Sequence, residues 1–252
     1  MRSTACDVLR VREVPGGTVA SIKARNHDDL VRFYRADGAE NPSIFEIWED
    51  GGSRDDSVTP STYSSEYRDW MCDRLVAELE RNGGGLLSLG CGNAAVEAQV
   101  AERGFRVLAV DAMEEAVELA RKKGLEALCA DIYAWEPDEP WSVIYIDGVL
   151  GHLHDEQNGL TPVLRRIRSW LAPRTDARSG VATLVASNDA PNNGETFQKA
   201  PRVNGFYWLS ADYLRDQALA AGFDDAKTDE FRYHRPVSGE RVRAVMNGYV
   251  AR

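Results

Sequence analysis

The spacing of apolar and polar residues changes character at Leu86. Upstream, residues 8–24 alternate loosely around Pro15-Gly16-Gly17, which predicts a hairpin, and residues 27–36 carry a short helical pattern. Residues 41–60 are acidic and rich in turn formers, with Ile44, Phe45, Ile47 and Trp48 as an apolar island, and are expected to be irregular. Tyr67, Trp70, Met71, Leu75 and Leu79 then recur at helical spacing. They predict a helix over 64–81 that Gly83-Gly84-Gly85 ends.

Beyond that point short apolar runs alternate with helical stripes. Strands are predicted over 86–89, 106–111, 127–131, 142–147 and 181–187, and helices over 94–103, 114–123, 160–171 and 210–222. The 114–123 stretch opens on acids and closes on lysines before Gly124, as a helix dipole favours. Two strand-like runs, 227–233 and 241–250, follow each other across Pro236-Val237-Ser238-Gly239 with no helix between. Apolar strands alternating with helices predict an α/β fold, a mostly parallel sheet covered on both faces, with the last two strands as an antiparallel hairpin at one edge. At 252 residues the chain has room for one such domain, expected over 63–252. A helical or irregular N-terminal extension over 1–62 is expected to cover the active site.

Composition narrows the partners. Hydrophobic residues make up 43%, enough for a substantial core, and the formal charge is −10. Phosphate binding needs a basic patch, so a nucleic-acid partner is not expected. Arg165-Arg166-Ile167-Arg168 reads as a solvated helix face. No apolar stretch is long enough to span a bilayer, and Met1-Arg2-Ser3-Thr4 begins no secretory apolar region. Cys6, Cys72, Cys91 and Cys129 fit neither a CxxC metal pattern nor a dense disulfide framework. A reduced, cytoplasmic protein without a metal is the resulting expectation.

The chemistry starts at Leu86-Leu87-Ser88-Leu89-Gly90-Cys91-Gly92. A strand that turns into a helix through Gly-x-Gly exposes bare backbone to a ligand, since glycine supplies both the dihedrals and the missing Cβ. Three later strands end in Asp111, Asp131 and Asp147. Ligands of open α/β sheets bind beyond the carboxyl ends of the strands, and an acid about 20 residues past the glycines suits ribose hydroxyls. The turn and Asp111 together point to an adenosine-containing cofactor. Gly90-x-Gly92-x-x-Ala95 also satisfies the dinucleotide fingerprint, so a nicotinamide oxidoreductase is a competing reading, although no Tyr-x-x-x-Lys pair follows.

From Tyr63 to the C-terminus these motifs, in this order, resemble class I S-adenosylmethionine (SAM)-dependent methyltransferases. The resemblance implies a Rossmann-like, doubly wound, seven-stranded sheet. It implies that Gly90, Cys91 and Gly92 meet SAM, that Asp111, with Ala112 and Met113 after it, holds the ribose, and that Asp131 and Ile132 bracket the adenine. Asp147-Gly148-Val149-Leu150-Gly151-His152-Leu153 is similar to the family's fourth motif, which runs beside the methionine part and the acceptor. Phe206-Tyr207-Trp208-Leu209-Ser210, then Ala221-Gly222-Phe223, looks like the family's C-terminal half. Two departures stand out: Ser88 occupies the place of an acid that usually anchors the SAM amino group, and Ala94 replaces the third glycine. Ser88 stays in the cofactor set, with Tyr63 or Tyr67 as substitutes reaching over the cofactor; core packing is the other reading of Tyr67.

On the acceptor side His152 is the candidate base, just after the fourth strand; packing at the start of the next helix is its alternative role. Residues 188–207 read as a polar loop of lid length, in which Asn192, Phe197, Tyr207 and Trp208 are candidate acceptor contacts. The expected activity is methyl transfer from SAM, leaving S-adenosylhomocysteine (SAH), to nitrogen or oxygen of a small molecule, with a place in specialised metabolism implied by the resemblance. A non-catalytic SAM-binding module and methylation of a protein side chain are the remaining alternatives, and the protein is expected to be a monomer or homodimer.

Overall fold

Strand β1, Leu86–Leu89, lies near the middle of the sheet and is buried along its whole length. The computed structural model describes Tyr34 and residues 42–54, 56–173, 180–201, 203 and 205–251. The hairpin expected over 8–24 lies outside the described residues, and of the helix expected over 27–36 only Tyr34 is described, as helical.

Three helices precede β1: α1 (Ile44–Glu49), α2 (Pro60–Tyr63) and α3 (Ser65–Asn82). After it come α4 (Ala95–Glu102), β2 (Val107–Asp111), α5 (Glu114–Lys122), β3 (Glu126–Cys129), β4 (Val143–Asp147), α6 (Leu150–Leu153) and α7 (Thr161–Ser169). Strand β5 (Val181–Asp189) leads to β6 (Phe197–Lys199), β7 (Tyr207–Leu209), α8 (Ala211–Ala220), β8 (Asp225–Arg235) and β9 (Gly239–Ala251).

Seven strands form one sheet in the order β3-β2-β1-β4-β5-β9-β8. The first five are parallel; β9 runs antiparallel to both β5 and β8, which realises the expected C-terminal hairpin. Strand order reverses between β1 and β4, so their carboxyl ends open a crevice. The period of two sorts the core into layers. Ile144 and Ile146 face α7 and α8 through Leu160, Leu164, Ile167 and Leu214, while Val143 and Tyr145 face α3 and α4 through Met71, Leu75, Val96 and Val100.

Two segments differ from the reading of the sequence. Residues 41–60 are not irregular throughout: Ser43 and Glu46 form a reciprocal capping box that starts α1. The helix buries Ile44, Phe45 and Trp48 against Val58, Met113 and Ala116, so the apolar island is a small core of its own. The stretch 188–207 is not one long loop. Asn188 and Asp189 extend β5, since their side chains are buried and hydrogen-bonded, and β6 pairs with β7 in a separate two-stranded sheet.

Candidate active site

Where β1 turns into α4 the backbone is left-handed at Gly90 (φ 76°), Gly92 (φ 54°) and Ala94 (φ 52°). A Cβ on Gly90 would come 2.3 Å from Val149 Cγ2, and one on Gly92 would touch the Trp48 ring at 3.4 Å. The turn is tied to β2: Gly90 and Cys91 donate their amides to the Val110 carbonyl, at 2.7 and 3.2 Å. Asp111 accepts from the amides of Gly92 (3.0 Å) and Met113 (2.9 Å). Burial raises the Asp111 carboxyl to about 6 against the pull of those amides.

Above this turn lies a cavity of about 220 Å³. Gly90, Cys91, Gly92, Asp111, Ala112, Met113, Asp131, Ile132, Asp147 and Gly148 line it. Asp131 is exposed at the mouth and accepts from the Tyr133 amide at 2.8 Å. Asp147 holds the opposite wall, where Arg243, Ser187 and Tyr145 all hydrogen-bond to its carboxylate.

His152 and Trp208 line the same cavity. His152 is packed between Tyr34, whose hydroxyl is 2.8 Å from Nε2, and Phe206, whose ring centroid is 4.6 Å away. Burial lowers its pKa to about 4, so the imidazole is neutral at pH 7. Among the described residues its Nδ1 is buried with no hydrogen-bond partner, as are Trp208 Nε1 and Asp56 Oδ1 on the same walls. Native interiors pair nearly all such atoms, which marks these positions, with Arg235 Nε on the same wall, as candidates for a ligand contact.

The other expected contacts are corrected by the structure. Ser88 is 1% exposed, outside the cavity lining, with its hydroxyl spent on Glu97 Oε1 at 2.6 Å. Tyr67 is wholly buried in the core against Trp70 and Phe231, its hydroxyl 3.0 Å from Ser187 Oγ. Tyr63 points to the β8 hairpin and donates to the His234 carbonyl at 2.8 Å. Phe197 and Tyr207 clasp His154 instead of the cavity, with ring centroids 4.7 and 4.6 Å from it, and Tyr207 donates to Glu156. Asn192 is exposed in the turn between β5 and β6, beside a separate shallow groove. For all but Asn192, a nearer polar or aromatic partner captures the side chain.

The lining also includes residues that the sequence did not single out. Trp48 and Phe45 come from α1, Thr59 from the loop after it, Glu97 from α4, Phe206 from the approach to β7, and Arg235 from the end of β8. A buried ion network underlies the wall that carries Asp147 and Arg235. Arg243 pairs with Asp147 and, at 2.9 Å, with Asp189; Arg235 pairs with Asp189 at 2.6 Å and Asp56 at 3.1 Å. Burial pushes the Asp189 carboxyl up, but Arg235 and Arg243 outweigh it and hold the group below its ordinary value. The signal for α1 was the Ser43-x-x-Glu46 box; nothing local marks Asp56, Arg235 and Arg243, which meet only in the fold.

A bare-backbone turn at the sheet's switch point, an acid beyond it and aromatic walls define a nucleotide-cofactor enzyme of the Rossmann-like class. The family model described as a methyltransferase domain matches residues 63–228. The chain therefore belongs to the methyltransferase-domain family and is a SAM-dependent methyltransferase, which sets aside the nicotinamide reading. It is 42% identical over 221 residues to the tabtoxin biosynthesis enzyme of Pseudomonas amygdali pv. tabaci, covering 86% of this chain and 85% of that one. Among solved structures it resembles the 1,6-didemethyltoxoflavin N1-methyltransferase of Burkholderia thailandensis, with TM-score 0.55, 19% identity, and 73% and 79% of the two chains covered. It also resembles the magnesium protoporphyrin IX methyltransferase of Synechocystis PCC 6803, with TM-score 0.56, 17% identity, and 90% and 99% covered.

Proposed function

We propose that this enzyme methylates nitrogen or oxygen of a small organic acceptor bound between His152 and Trp208, in a specialised biosynthetic pathway of the cytoplasm. The observation that carries this reading is the aromatic-walled cavity in which, among the described residues, buried His152 Nδ1 and Trp208 Nε1 lack partners. A pocket with apolar walls and a few polar atoms suits a small molecule, whereas a polymer would need an open groove. The 42% identity to a tabtoxin biosynthesis enzyme supports the pathway class. Among the described residues no helix is long and apolar enough to cross a membrane. The protein works as a monomer or homodimer, and the segment before Tyr63 covers the site, a role supported by Tyr34, Phe45, Trp48 and Thr59 in the cavity wall.

The glycine turn fits the cofactor because a Cβ at Gly90 would fill the space against Val149. Gly90–Gly92 would receive its methionine end, Asp111 its ribose, and Asp131 with Ile132 its adenine. Bound SAM supplies an electrophilic methyl on a sulfonium. The protein's part is alignment and exclusion of water, which carry much of the rate in a displacement. His152 stays neutral and orients the acceptor or takes its proton at Nδ1; with a pKa of about 4 it suits an acceptor that arrives uncharged.

Methyl-labelled SAM is to be incubated with the enzyme and a cell extract divided by ultrafiltration. Label is expected in the low-mass fraction, and His152→Ala should slow its appearance by ~10²-fold while SAH still binds. Label confined to protein or nucleic acid would overturn the reading.

A further inference from the structure

The place of the missing acid at Ser88 is not vacant of charge. Ser88 Oγ donates to Glu97 Oε1 at 2.6 Å, so the Glu97 carboxylate stands against the residue whose usual counterpart carries one. Glu97 is the third residue of α4 and reaches back from the first helical turn to the end of β1. It is 4% exposed, yet it lines the cofactor cavity, whereas Ser88 does not. Among the described residues no Lys, Arg or His pairs with it. The groups that bear on it electrostatically are acids: Asp111 from β2 and Asp147 from β4. Glu97 acts in turn on Cys91 in the turn and Tyr145 in β4. A buried carboxylate with a single hydroxyl partner and acidic neighbours lacks the cation that would make its burial favourable.

We propose that Glu97, presented by α4 and steadied by Ser88, binds the ammonium group of the methionine portion of SAM in place of the acid missing from β1. The assignment rests on the SAM reading of this cavity. It explains both halves of the departure. A serine at 88 is too short to reach a ligand, but it is the right length to donate to a carboxylate arriving from the next helix. The helix amino terminus favours a negative charge in its first turn. In the empty protein burial still raises Glu97 to about 7, against the Ser88 hydrogen bond and a backbone amide. The ligand's ammonium supplies the counter-charge that draws the proton off.

The test is calorimetric binding to the full chain, with two probes: SAH and its deamino analogue, which keeps the adenosine, thioether and carboxylate. The protein should prefer SAH by about tenfold or more at pH 8, as a charge-assisted hydrogen bond predicts. Binding to ammonium requires the ionised form, so the preference should shrink by up to about tenfold per unit as pH falls below 7. Asp111, raised to about 6, titrates nearby, but both probes carry the ribose and its effect cancels in their ratio. Glu97→Gln should abolish the preference and its pH dependence while leaving the deamino analogue bound as before. Adding Ser88→Asp to Glu97→Gln should restore the preference. A folded Glu97→Gln protein that still prefers SAH overturns the assignment and leaves the SAM reading intact. A parent protein that binds neither probe overturns both.

Discussion

The two walls of the cavity are built on different principles. The wall over the glycine turn is backbone: three successive turns of chain at the ends of β1, β2 and β3, with Gly90 where a side chain would collide and amides where Asp111 pins the loop. The facing wall is made of side chains from α1, α6, β7 and β8, resting on the ion network of Asp56, Asp147, Asp189, Arg235 and Arg243. A backbone wall is specified by a few adjacent residues and tolerates change around it. A charged wall is specified by pairs separated by up to 179 positions, and it stands or falls as a unit.

The sharpest way to break this contrast is Arg243→Ala. It leaves Asp147 and Asp189 buried without their shared cation, which costs about 3–5 kcal/mol in comparable sites. Urea denaturation should show that loss; a drop below about 1 kcal/mol would mean that the network is not a unit. On the backbone wall Gly90→Ala is the counterpart. The added methyl would lie 2.3 Å from Val149 in a left-handed residue, so SAH affinity should fall by about 1–3 kcal/mol in calorimetry with stability less affected than by loss of Arg243. Undiminished binding would remove the turn from the cofactor site.

A further effect is expected on the pH profile. His152 is held neutral, with a pKa near 4 against an ordinary value of 6.5. Its folded value is depressed, so its contribution to stability is complete above about pH 6.5 and is lost as pH falls toward 4. His152→Gln should flatten that limb relative to the parent in thermal unfolding scans. Identical profiles would place the imidazole in water, contrary to the packing by Tyr34 and Phe206.

The same contrast governs what the sequence discloses. The parallel strands, the helices between them and the terminal hairpin are legible because the central strands are apolar runs buried on both faces and each helix buries one stripe. The turn at Gly90 and Gly92 and its tie to Asp111 are legible for a related reason: their geometry depends on local backbone, and local backbone is written in adjacent residues. Tyr67 shows the limit. Its helical spacing allowed either a cofactor contact or the core, and the core claimed it because Trp70 and Phe231 surround its ring. Phe197 and Tyr207 were drawn to His154 in the same way. Glu97 carries no mark of its own in the sequence, since only the approach of α4 to β1 brings it onto Ser88.

The β6–β7 pair is hydrogen-bonded to itself and forms a sheet apart from the main seven strands. It nonetheless carries Trp208, with Phe206 just before it, to the facing wall. Tyr207 and Leu209 anchor the pair to the main core, Tyr207 through its carbonyl to Asn188 of β5, so the room for variation lies in the turns that flank β6 rather than in β7. Directed evolution toward new acceptors has its natural library there, with the cofactor chemistry inherited unchanged.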